Sequence, residues 1–402
     1  MRLPRTEWQE RRGMQELLEA LRGDQGDTRY VGGCVRDALL GLAASDVDLA
    51  TRLEPEEVMR CLRAKSIKVV PTGLAHGTVT AVLNGVPIEV TSLRRDVTTD
   101  GRRATIAFTS DWKEDAARRD FTINALTADP ASGEIFDYFQ GLEDLQAGRV
   151  RFIGDPLQRI AEDHLRILRF FRFHARFGRG EPDADALQGC AARANDLMAL
   201  SRERIADELL KLLGLPSPQP AVALMVKHGI LKSVLPEIRS EGVARLSALI
   251  DRERLAGVAA DAVRRLAALL PADEELAANV AARLRFSRKI AKRLRSAASR
   301  QEDEVANPRL LAYRIGVEEA IDHILLGHGD PVAVEKLSEW ERPRLLIGGG
   351  DLIAMGLAAG PVVARTLQAI EREWAQEGFA PEKEMQRALA LRHVDQALRT
   401  RQ

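Results

Sequence analysis

The chain has 402 residues, with 59 Lys and Arg side chains, 59 Asp and Glu side chains and a formal net charge of +0. This length predicts about two to four domains, and the balanced charge disfavours indiscriminate nucleic-acid binding while leaving local basic patches open. Aromatic residues make up only 4% of the chain, which disfavours wide base-stacking surfaces.

The cysteines and the apolar pattern predict a cytoplasmic protein. Cys34, Cys61 and Cys190 are scattered without C-x-x-C spacing, which fits a reducing compartment and excludes a cysteine-rich zinc site. The first residues are charged rather than apolar, so no signal peptide is expected. No uncharged apolar run reaches the ~20 residues of a membrane span.

The first predicted elements lead to a phosphate-binding turn. A helix over Trp8–Arg22 and a strand over Thr28–Val31 are expected before the glycine pair Gly32–Gly33 and a short helix over Val35–Leu40. Glycines let backbone N–H groups approach an anion, and a helix N-terminus favours negative charge. An ordinary turn is the alternative interpretation.

Two carboxylates follow at strand spacing. Asp46 and Asp48 are two residues apart on a second predicted strand, where alternate side chains share one face. Carboxylates that face the same way repel unless a cation lies between them, and their hard oxygens suit Mg2+. A solvated strand end is the alternative. Together, the turn and the acidic pair predict phosphoryl or nucleotidyl transfer.

A predicted β-hairpin supplies a third carboxylate. A helix is expected over Glu54–Lys65, and a strand over Lys68–Val70 that is ended by Pro71 and Gly73. Two hairpin strands are expected over Thr78–Leu83 and Val86–Thr91. Asn84–Gly85 between the last two is a strong hairpin signal. Glu89 stands among apolar residues, where an unpaired carboxylate is costly. It is either an outward-facing edge residue or a third member of the metal site, and we favour the latter.

The next segment is charged and rich in turn residues. Arg94–Thr109 is predicted to be a mobile loop, and the run Arg118–Ala125 passes from charged residues into a strand-like sequence. Arg119 either forms a surface ion pair with Asp120 or holds a triphosphate. After Gly154 the strand signals stop, so the expected fold is an α+β head followed by an all-α remainder.

The first helix of that remainder, expected over Pro156–Phe177, carries a possible base-reading pair. Asp163 and Arg166 are three residues apart, which makes them neighbours on a helix, and Arg169 and Arg172 continue the row. A carboxylate accepts hydrogen bonds and a guanidinium donates them. This pair matches cytosine and adenine, which present an amino donor beside a ring-nitrogen acceptor, but not uracil and guanine, which present the opposite order. The alternative is an exposed ion pair, but the phenylalanines interleaved with the arginines favour a cleft.

In this order, the motifs GGCVRD, DVD, PTGLAHGTV, IEVTSLR, RRDFTINA and EDHLRILR resemble those of the class II tRNA nucleotidyltransferases, the CCA-adding enzymes. These enzymes are related to the bacterial poly(A) polymerases. The resemblance covers residues 28–210 and, more weakly, extends to the C-terminus. It implies four regions: a nucleotidyltransferase head (residues 1–150), a helical neck (151–215), a helical body (216–340) and a helical tail (341–402).

The resemblance also implies residue roles. Asp46 and Asp48 would be the Mg2+ ligands, and Glu89 the supporting carboxylate. The residues implied to bind the nucleotide are Gly33, Arg36, Arg119, Asp163, Arg166, Arg169 and Arg172, with Asp163 and Arg166 as the base-reading pair. His164 lies at a position that is commonly small or proline in relatives, and it is given no role. A further neck motif is expected from Leu200 to Leu209.

The implied activity is two-metal addition of C, C and A to the acceptor end of tRNA from CTP and ATP, with release of pyrophosphate. The alternatives are poly(A) addition, addition of CC or A alone, and a catalytically silent RNA-binding protein. PTGLAHGTV favours the CCA-adding form over poly(A) addition, and the three carboxylates argue against a silent protein. The acid-free run Ala281–Arg300 is either a solvated basic helix or a surface for tRNA phosphates.

Overall fold

The computed structural model describes residues 1–44, 46–99, 104–299 and 306–399. Its internal contacts divide the chain into two compact units, Met1–Ser240 and Glu241–Gln402. The four-region division expected from the resemblance stays a prediction.

The first unit contains the strands, which form a seven-stranded sheet and a separate two-stranded sheet. The strands are β1 (Thr28–Val31), β2 (Asp48–Thr51), β3 (Lys68–Gly73), β4 (Thr78–Leu83), β5 (Val86–Ser92), β6 (Arg94–Thr99), β7 (Ala104–Phe108), β8 (Thr127–Ala128) and β9 (Ile135–Phe136). The order in the large sheet is β3-β4-β5-β2-β1-β8-β9, and the small sheet pairs β6 with β7. Strands β2 and β5 run parallel, whereas the other paired strands are antiparallel.

The helices of this unit frame the sheet and then continue without strands, as predicted. They are α1 (Met14–Ala20), α2 (Gly33–Leu39), α3 (Pro55–Ala64), α4 (Trp112–Ala117), α5 (Gly141–Ala147), α6 (Pro156–Glu162), α7 (Arg166–Phe177), α8 (Ala184–Ala192), α9 (Arg202–Leu213) and α10 (Gln219–Lys227). The predicted α+β head with a helical remainder is therefore confirmed.

The predicted hairpin forms between β4 and β5. Asn84 and Gly85 have φ angles of 49° and 86°, the left-handed conformations that a tight two-residue turn of this kind requires. The turn fixes the register of β5, which in turn pairs in parallel with β2. A local turn signal thus brings Glu89 beside the acidic residue that begins β2.

Three of the expected elements differ in the structure. Helix α1 is shorter than predicted because Gly13, with φ 88°, immediately precedes it. Strand β3 continues through Pro71, which is tolerated because β3 is an edge strand with an irregular register at that point. The predicted loop Arg94–Thr109 instead contributes the paired strands β6 and β7, with residues 100–103 outside the described range.

Two further corrections concern the candidate site. The strand-like run before Ala125 is not a strand, because Thr122–Asn124 forms a 3-10 turn. The predicted continuous helix Pro156–Phe177 is broken at Asp163, whose φ of −151° and ψ of 106° are extended. The Asp163 carboxylate accepts a hydrogen bond from the Leu165 backbone N–H at 3.1 Å, which competes with continuation of the helix.

Aromatic packing fixes α7 against the head. Phe121 lies 4.9 Å from Phe152 and 5.3 Å from Phe173, measured between ring centroids, and Phe152 stacks on Phe170 at 5.9 Å. These rings are almost wholly buried. Burial of each such side chain contributes about 1.5–3 kcal/mol, so α7 and the arginines along it are held in place next to the sheet.

The second unit is helical. Its helices are α11 (Ser240–Leu255), α12 (Ala262–Leu269), α13 (Glu274–Arg283), α14 (Arg288–Ser299), α15 (Pro308–Ile315), α16 (Val317–Leu326), α17 (Gly349–Ala354), α18 (Pro361–Gln376) and α19 (Lys383–Arg399). One apolar cluster surrounds Ile324 and another surrounds Trp374. Pro271 lies between α12 and α13, whereas Pro308 is the first residue of α15 and Asn307 caps that helix.

The basic run of the second unit is only partly available to a ligand. Arg293 on α14 bonds to Asp322 at 2.7 and 2.9 Å and to Asp261 at 3.0 Å, and Asp322 also accepts from Arg264. Asp322 is fully buried, so this network is part of the interior.

No helix among the described residues combines the length and the apolar character that crossing a bilayer requires.

Candidate active site

The predicted phosphate turn links β1 to α2. Gly32 has φ 70° and ψ −123°, and its N–H donates to the Leu126 carbonyl at 3.0 Å. A Cβ atom on Gly32 would lie 3.1 Å from Nη1 of Arg119. The positive φ therefore favours glycine here, and any larger residue would require the Arg119 side chain to shift.

We expect Gly32→Ala to lower the free energy of unfolding by about 1–2 kcal/mol, because alanine is strained at a positive φ. The added methyl group would also displace Arg119 and raise the KM for nucleotide. Gly33→Ala is the matched control for stability, since its Cβ would meet only Nη2 of Arg36 at 3.7 Å. Urea denaturation measures both variants, and equal destabilisation would contradict the conformational argument.

The acidic residues meet where β2 and β5 pair. Asp48 begins β2 and is partly buried, and Glu89 is its direct partner on β5. Asp46 precedes the strand and is exposed, so the expectation that both aspartates lie on one strand is wrong for Asp46. Glu89 is exposed but belongs to an inner strand, so the edge-strand alternative is also wrong.

The charge environment of Asp48 fits a cation. Burial and then the negative charge of Glu89 raise the pKa of Asp48 to about 6, with Arg119 opposing and Asp46 adding to the effect. A bound cation would relieve this repulsion. Within the described ranges, no three metal-ligating side chains are arranged to hold an ion by themselves. Asp48 and Glu89 offer carboxylate oxygens, which are the ligands that hard divalent ions take.

A cavity of about 420 Å³ joins the two predicted halves of the site. On the side of the sheet, it is lined by the phosphate turn, by Asp48 and by the segment around Arg119. On the side of the following helices, it is lined by Asp163 and the arginines of α7. Of the ten predicted site residues, eight line this cavity: Gly33, Arg36, Asp48, Arg119, Asp163, Arg166, Arg169 and Arg172. Asp46 and Glu89 do not line it; Glu89 lies beside Asp48 on the neighbouring strand.

The arginines of the cavity are all paired with carboxylates. Arg36 donates from Nε to Asp37 at 2.8 Å, and from Nη1 to Asn124. Burial lowers the pKa of Arg36, and Asp37 opposes that effect. Arg36 also stacks on Phe177, with its guanidinium carbon 4.2 Å from the ring centroid. These contacts hold the predicted triphosphate-binding arginine in one orientation.

The expected base-reading pair is held by other residues. Arg204 donates to Asp163 at 2.8 Å, and Arg166 donates to Glu162 at 2.6 Å and to the carbonyl of Arg118 at 2.9 Å. The predicted helical neighbours are therefore not an ion pair, because the break at Asp163 turns its carboxylate towards α9. Both side chains still face one cavity.

The other two arginines of α7 bind buried acids. Arg169 donates to Asp120 at 2.7 Å, and Arg172 donates to Glu208 at 2.6 Å. Burial would raise the pKa of Asp120, but Arg169 and the hydrogen bond from Asn124 outweigh it and hold that pKa below its usual range. The sequence reasoning did not assign Asp120, Asn124 or Glu208, although the first two stand in RRDFTINA and the third in the expected neck motif.

Comparisons with known proteins agree with this geometry. Residues 28–151 match the family model described as "Poly A polymerase head domain", and residues 181–241 match "Probable RNA and SrmB- binding site of polymerase A". The Bacillus stearothermophilus CCA-adding enzyme, solved in complex with CTP, has a TM-score of 0.69 and 27% identity, with 97% of this chain and 99% of that chain covered.

Two curated relatives match over most of their length. Human mitochondrial CCA tRNA nucleotidyltransferase 1 is 31% identical over 393 residues, covering 92% of this chain and 88% of the relative. The CCA-adding enzyme of Streptococcus sanguinis is 32% identical over 371 residues, covering 88% of this chain and 90% of the relative. The chain therefore belongs to the class II tRNA nucleotidyltransferases, the CCA-adding enzymes.

Proposed function

We propose that this protein adds C, C and A in turn to the 3′ end of tRNA, using CTP and ATP and no nucleic-acid template. The observation that carries the proposal is the single cavity that joins the phosphate turn and Asp48 to Asp163 and Arg166. In each step the tRNA 3′-hydroxyl oxygen attacks the α-phosphorus of the nucleotide. A phosphodiester bond forms, the bond to the β-phosphate breaks, and pyrophosphate leaves.

The head residues bind the triphosphate and prepare the reacting atoms. Backbone N–H groups at Gly33 and the guanidinium groups of Arg36 and Arg119 face the phosphates. Enzymes with this head domain use divalent metal ions, and we infer that Asp46 and Asp48, supported by Glu89, hold Mg2+ here. When bound, such ions favour the deprotonated 3′-hydroxyl and neutralise the leaving pyrophosphate.

The neck residues select the base. Asp163 accepts from the exocyclic amino group that cytosine and adenine share, and Arg166 donates to the adjacent ring nitrogen. Uracil and guanine present the donor and the acceptor in the reverse order, so they would leave Asp163 and Arg166 without partners. Each buried polar group left unpaired costs about 1–3 kcal/mol. Arg169 and Arg172 line the same cavity and complete its positive wall.

An extension assay tests the function. Purified protein with Mg2+ receives tRNA that ends at the discriminator base, with CTP and ATP supplied separately and together. We expect two additions from CTP alone and a third, final addition when ATP is also present. Poly(A) addition, which the name of the matched head domain raises, would give a long A tail. Partial enzymes would stop after CC or add only A, and a silent RNA-binding protein would bind tRNA without extending it.

Metal removal tests the carboxylate assignment separately. We expect chelation with EDTA to abolish extension, because the repulsion among Asp46, Asp48 and Glu89 is then uncompensated and the triphosphate loses its counter-ion. Titration with Mg2+ should restore activity, whereas Ca2+, which prefers longer bonds and more ligands, should restore much less. Full extension in excess chelator would contradict the assignment.

The thiols support a cytoplasmic location. Cys34, Cys61 and Cys190 are all free, as expected in a reducing compartment. Cell fractionation against compartment markers tests the location, and recovery of the protein outside the cytoplasmic fraction would contradict it.

A further inference from the structure

A buried carboxylate on α4 lies behind two arginines of the cavity. Oδ1 of Asp115 accepts a hydrogen bond from Nε of Arg118 at 2.8 Å and forms an ion pair with Nη2 of the same side chain at 2.8 Å. Oδ2 accepts a hydrogen bond from Nη2 of Arg119 at 3.3 Å. Oδ1 also accepts from the backbone N–H of Arg94, at the start of β6, at 3.2 Å. Asp115 itself does not line the cavity, whereas Arg118 and Arg119 both do.

The helix that carries Asp115 is firmly placed. Trp112, one turn earlier, is buried against Val31, Ala50 and Leu93 of the sheet region. The carboxylate of Asp111 caps the helix by accepting from the Lys113 N–H at 2.8 Å. Asp115 is only 3% exposed. Its carboxylate is therefore held in one position, and it binds the longer and more flexible side chains of Arg118 and Arg119.

Two adjacent guanidinium groups would repel each other if both pointed into one cavity without a counter-charge. Asp115 supplies that charge, and the trio keeps one net positive charge. Although burial would raise the pKa of Asp115, Arg119 and Arg118 outweigh it and hold that pKa below its usual range. Burial also lowers the pKa of Arg118, to about 10. Asp115 and Arg118 are therefore both charged at neutral pH.

Arg119 in particular has donor capacity to spare. Its Nε is buried and has no hydrogen-bond partner, although its Nη2 bonds to Asp115. Nη1 lies so close to Gly32 that a Cβ atom there would be 3.1 Å away. The guanidinium thus spans the space between the carboxylate anchor and the phosphate turn, with donors left for an anion.

We propose that Asp115 is a positioning residue for the nucleoside triphosphate, which acts by directing Arg118 and Arg119 together into the cavity. The proposal rests on the proposed function, since it concerns the triphosphate of the nucleotide used there. It assigns Asp115 no contact with substrate. A role in positioning predicts weaker nucleotide binding when Asp115 is changed, with the chemical step and tRNA binding retained.

Asp115→Asn is the main test. Asparagine has the size of aspartate but replaces one acceptor with an amino group, which would face the arginine donors. We expect the KM for CTP to rise about tenfold, with kcat within about twofold, because charge-assisted hydrogen bonds that orient both arginines are lost. Inhibition by inorganic tripolyphosphate, which has no base or sugar, should weaken by a similar factor.

Two further variants separate positioning from general stability. Asp111→Ala removes the cap of the same helix without changing the contacts of either arginine. It should lower the melting temperature and leave the KM for CTP and kcat near those of the wild type. Asp115→Glu keeps the charge but shifts it by one methylene group, so it should raise the KM about threefold. If Asp115→Asn does not fold, the KM for CTP and kcat of Asp115→Glu test the positioning role instead.

The outcomes separate this proposal from the proposed function. If the wild type adds no nucleotides to tRNA, the function fails. If the wild type adds CCA but neither variant of Asp115 changes the KM or the tripolyphosphate inhibition, the positioning role fails and the function stands. An equal rise in KM for Asp111→Ala, or a fall in kcat alone for Asp115→Asn, would also overturn the positioning role.

Discussion

Replacing Asp48 by asparagine is expected to reduce nucleotide incorporation by about a thousandfold or more, while the affinity for tRNA changes by less than about twofold. Asparagine keeps the size of the side chain but removes the negative charge that, in the proposed function, holds a divalent ion at the start of β2. Asp48 lines the same cavity as Arg119 and interacts with it electrostatically, so the substitution changes the charge at the proposed position of the triphosphate. Single-turnover extension and a filter-binding assay with tRNA measure the two effects.

Matched acid-to-amide changes test whether this effect belongs to the site. Asp207→Asn on α9 is the control, because its side chain is 60% exposed and pairs with Lys211. Glu89→Gln should reduce incorporation less than Asp48→Asn, since Glu89 supports Asp48 from the neighbouring strand. Asp46→Asn should approach Asp48→Asn if both aspartates bind the ion. Activity of Asp48→Asn close to that of the wild type would falsify the metal assignment.

Arg166→Ala is expected to relax the choice of base, lowering the preference for CTP over UTP by about a hundredfold. In the proposed function, Arg166 donates a hydrogen bond to the ring nitrogen of cytosine. Uracil carries an N–H donor at that position and is rejected, so removal of the arginine would remove this clash of two donors. Arg166 is well fixed by Glu162 and by two backbone carbonyls, so its loss removes a rigid donor rather than a mobile one. Ratios of kcat/KM for the two nucleotides measure the change.

Arg193→Ala is the control for this variant. The Arg193 side chain is 47% exposed and pairs with Asp196, away from the cavity lining. It should leave the preference for CTP unchanged. An Arg166→Ala enzyme that loses rate equally for every nucleotide, with its preference intact, would show that Arg166 supports the site without reading the base.

The parts of the fold with strong local signals were predictable. Asn84 and Gly85 specify the turn between β4 and β5, and that turn fixes where Glu89 lies along its strand. The glycine pair after β1 predicted the phosphate turn, and the loss of strand patterns after Gly154 predicted the helical remainder. In each case a few adjacent residues determine the backbone conformation, so no knowledge of distant contacts is needed.

The elements that were wrong depend on contacts between distant residues. The segment that forms β6 and β7 is charged and rich in turn residues, so it was predicted to be a loop. Its strands form because the two segments pair with each other, which the pattern of either segment alone does not indicate. The helical periodicity runs unbroken through Asp163, yet its carboxylate is bound by Arg204, which is 41 positions further along the chain. Two of the cavity arginines likewise bind remote carboxylates: Asp120 is 49 positions from Arg169, and Glu208 is 36 positions from Arg172.

The pairing of every cavity arginine with a carboxylate has a consequence for turnover. An arginine without a counter-ion would hold pyrophosphate tightly, and each round of addition would then wait for that product to leave. Because Asp37, Asp115, Asp120, Glu162 and Glu208 stay paired with the arginines, they offset part of the positive charge that the leaving pyrophosphate meets. The cavity is thus built to exchange one set of anions for another, which suits an enzyme that must empty and refill three times on the same tRNA.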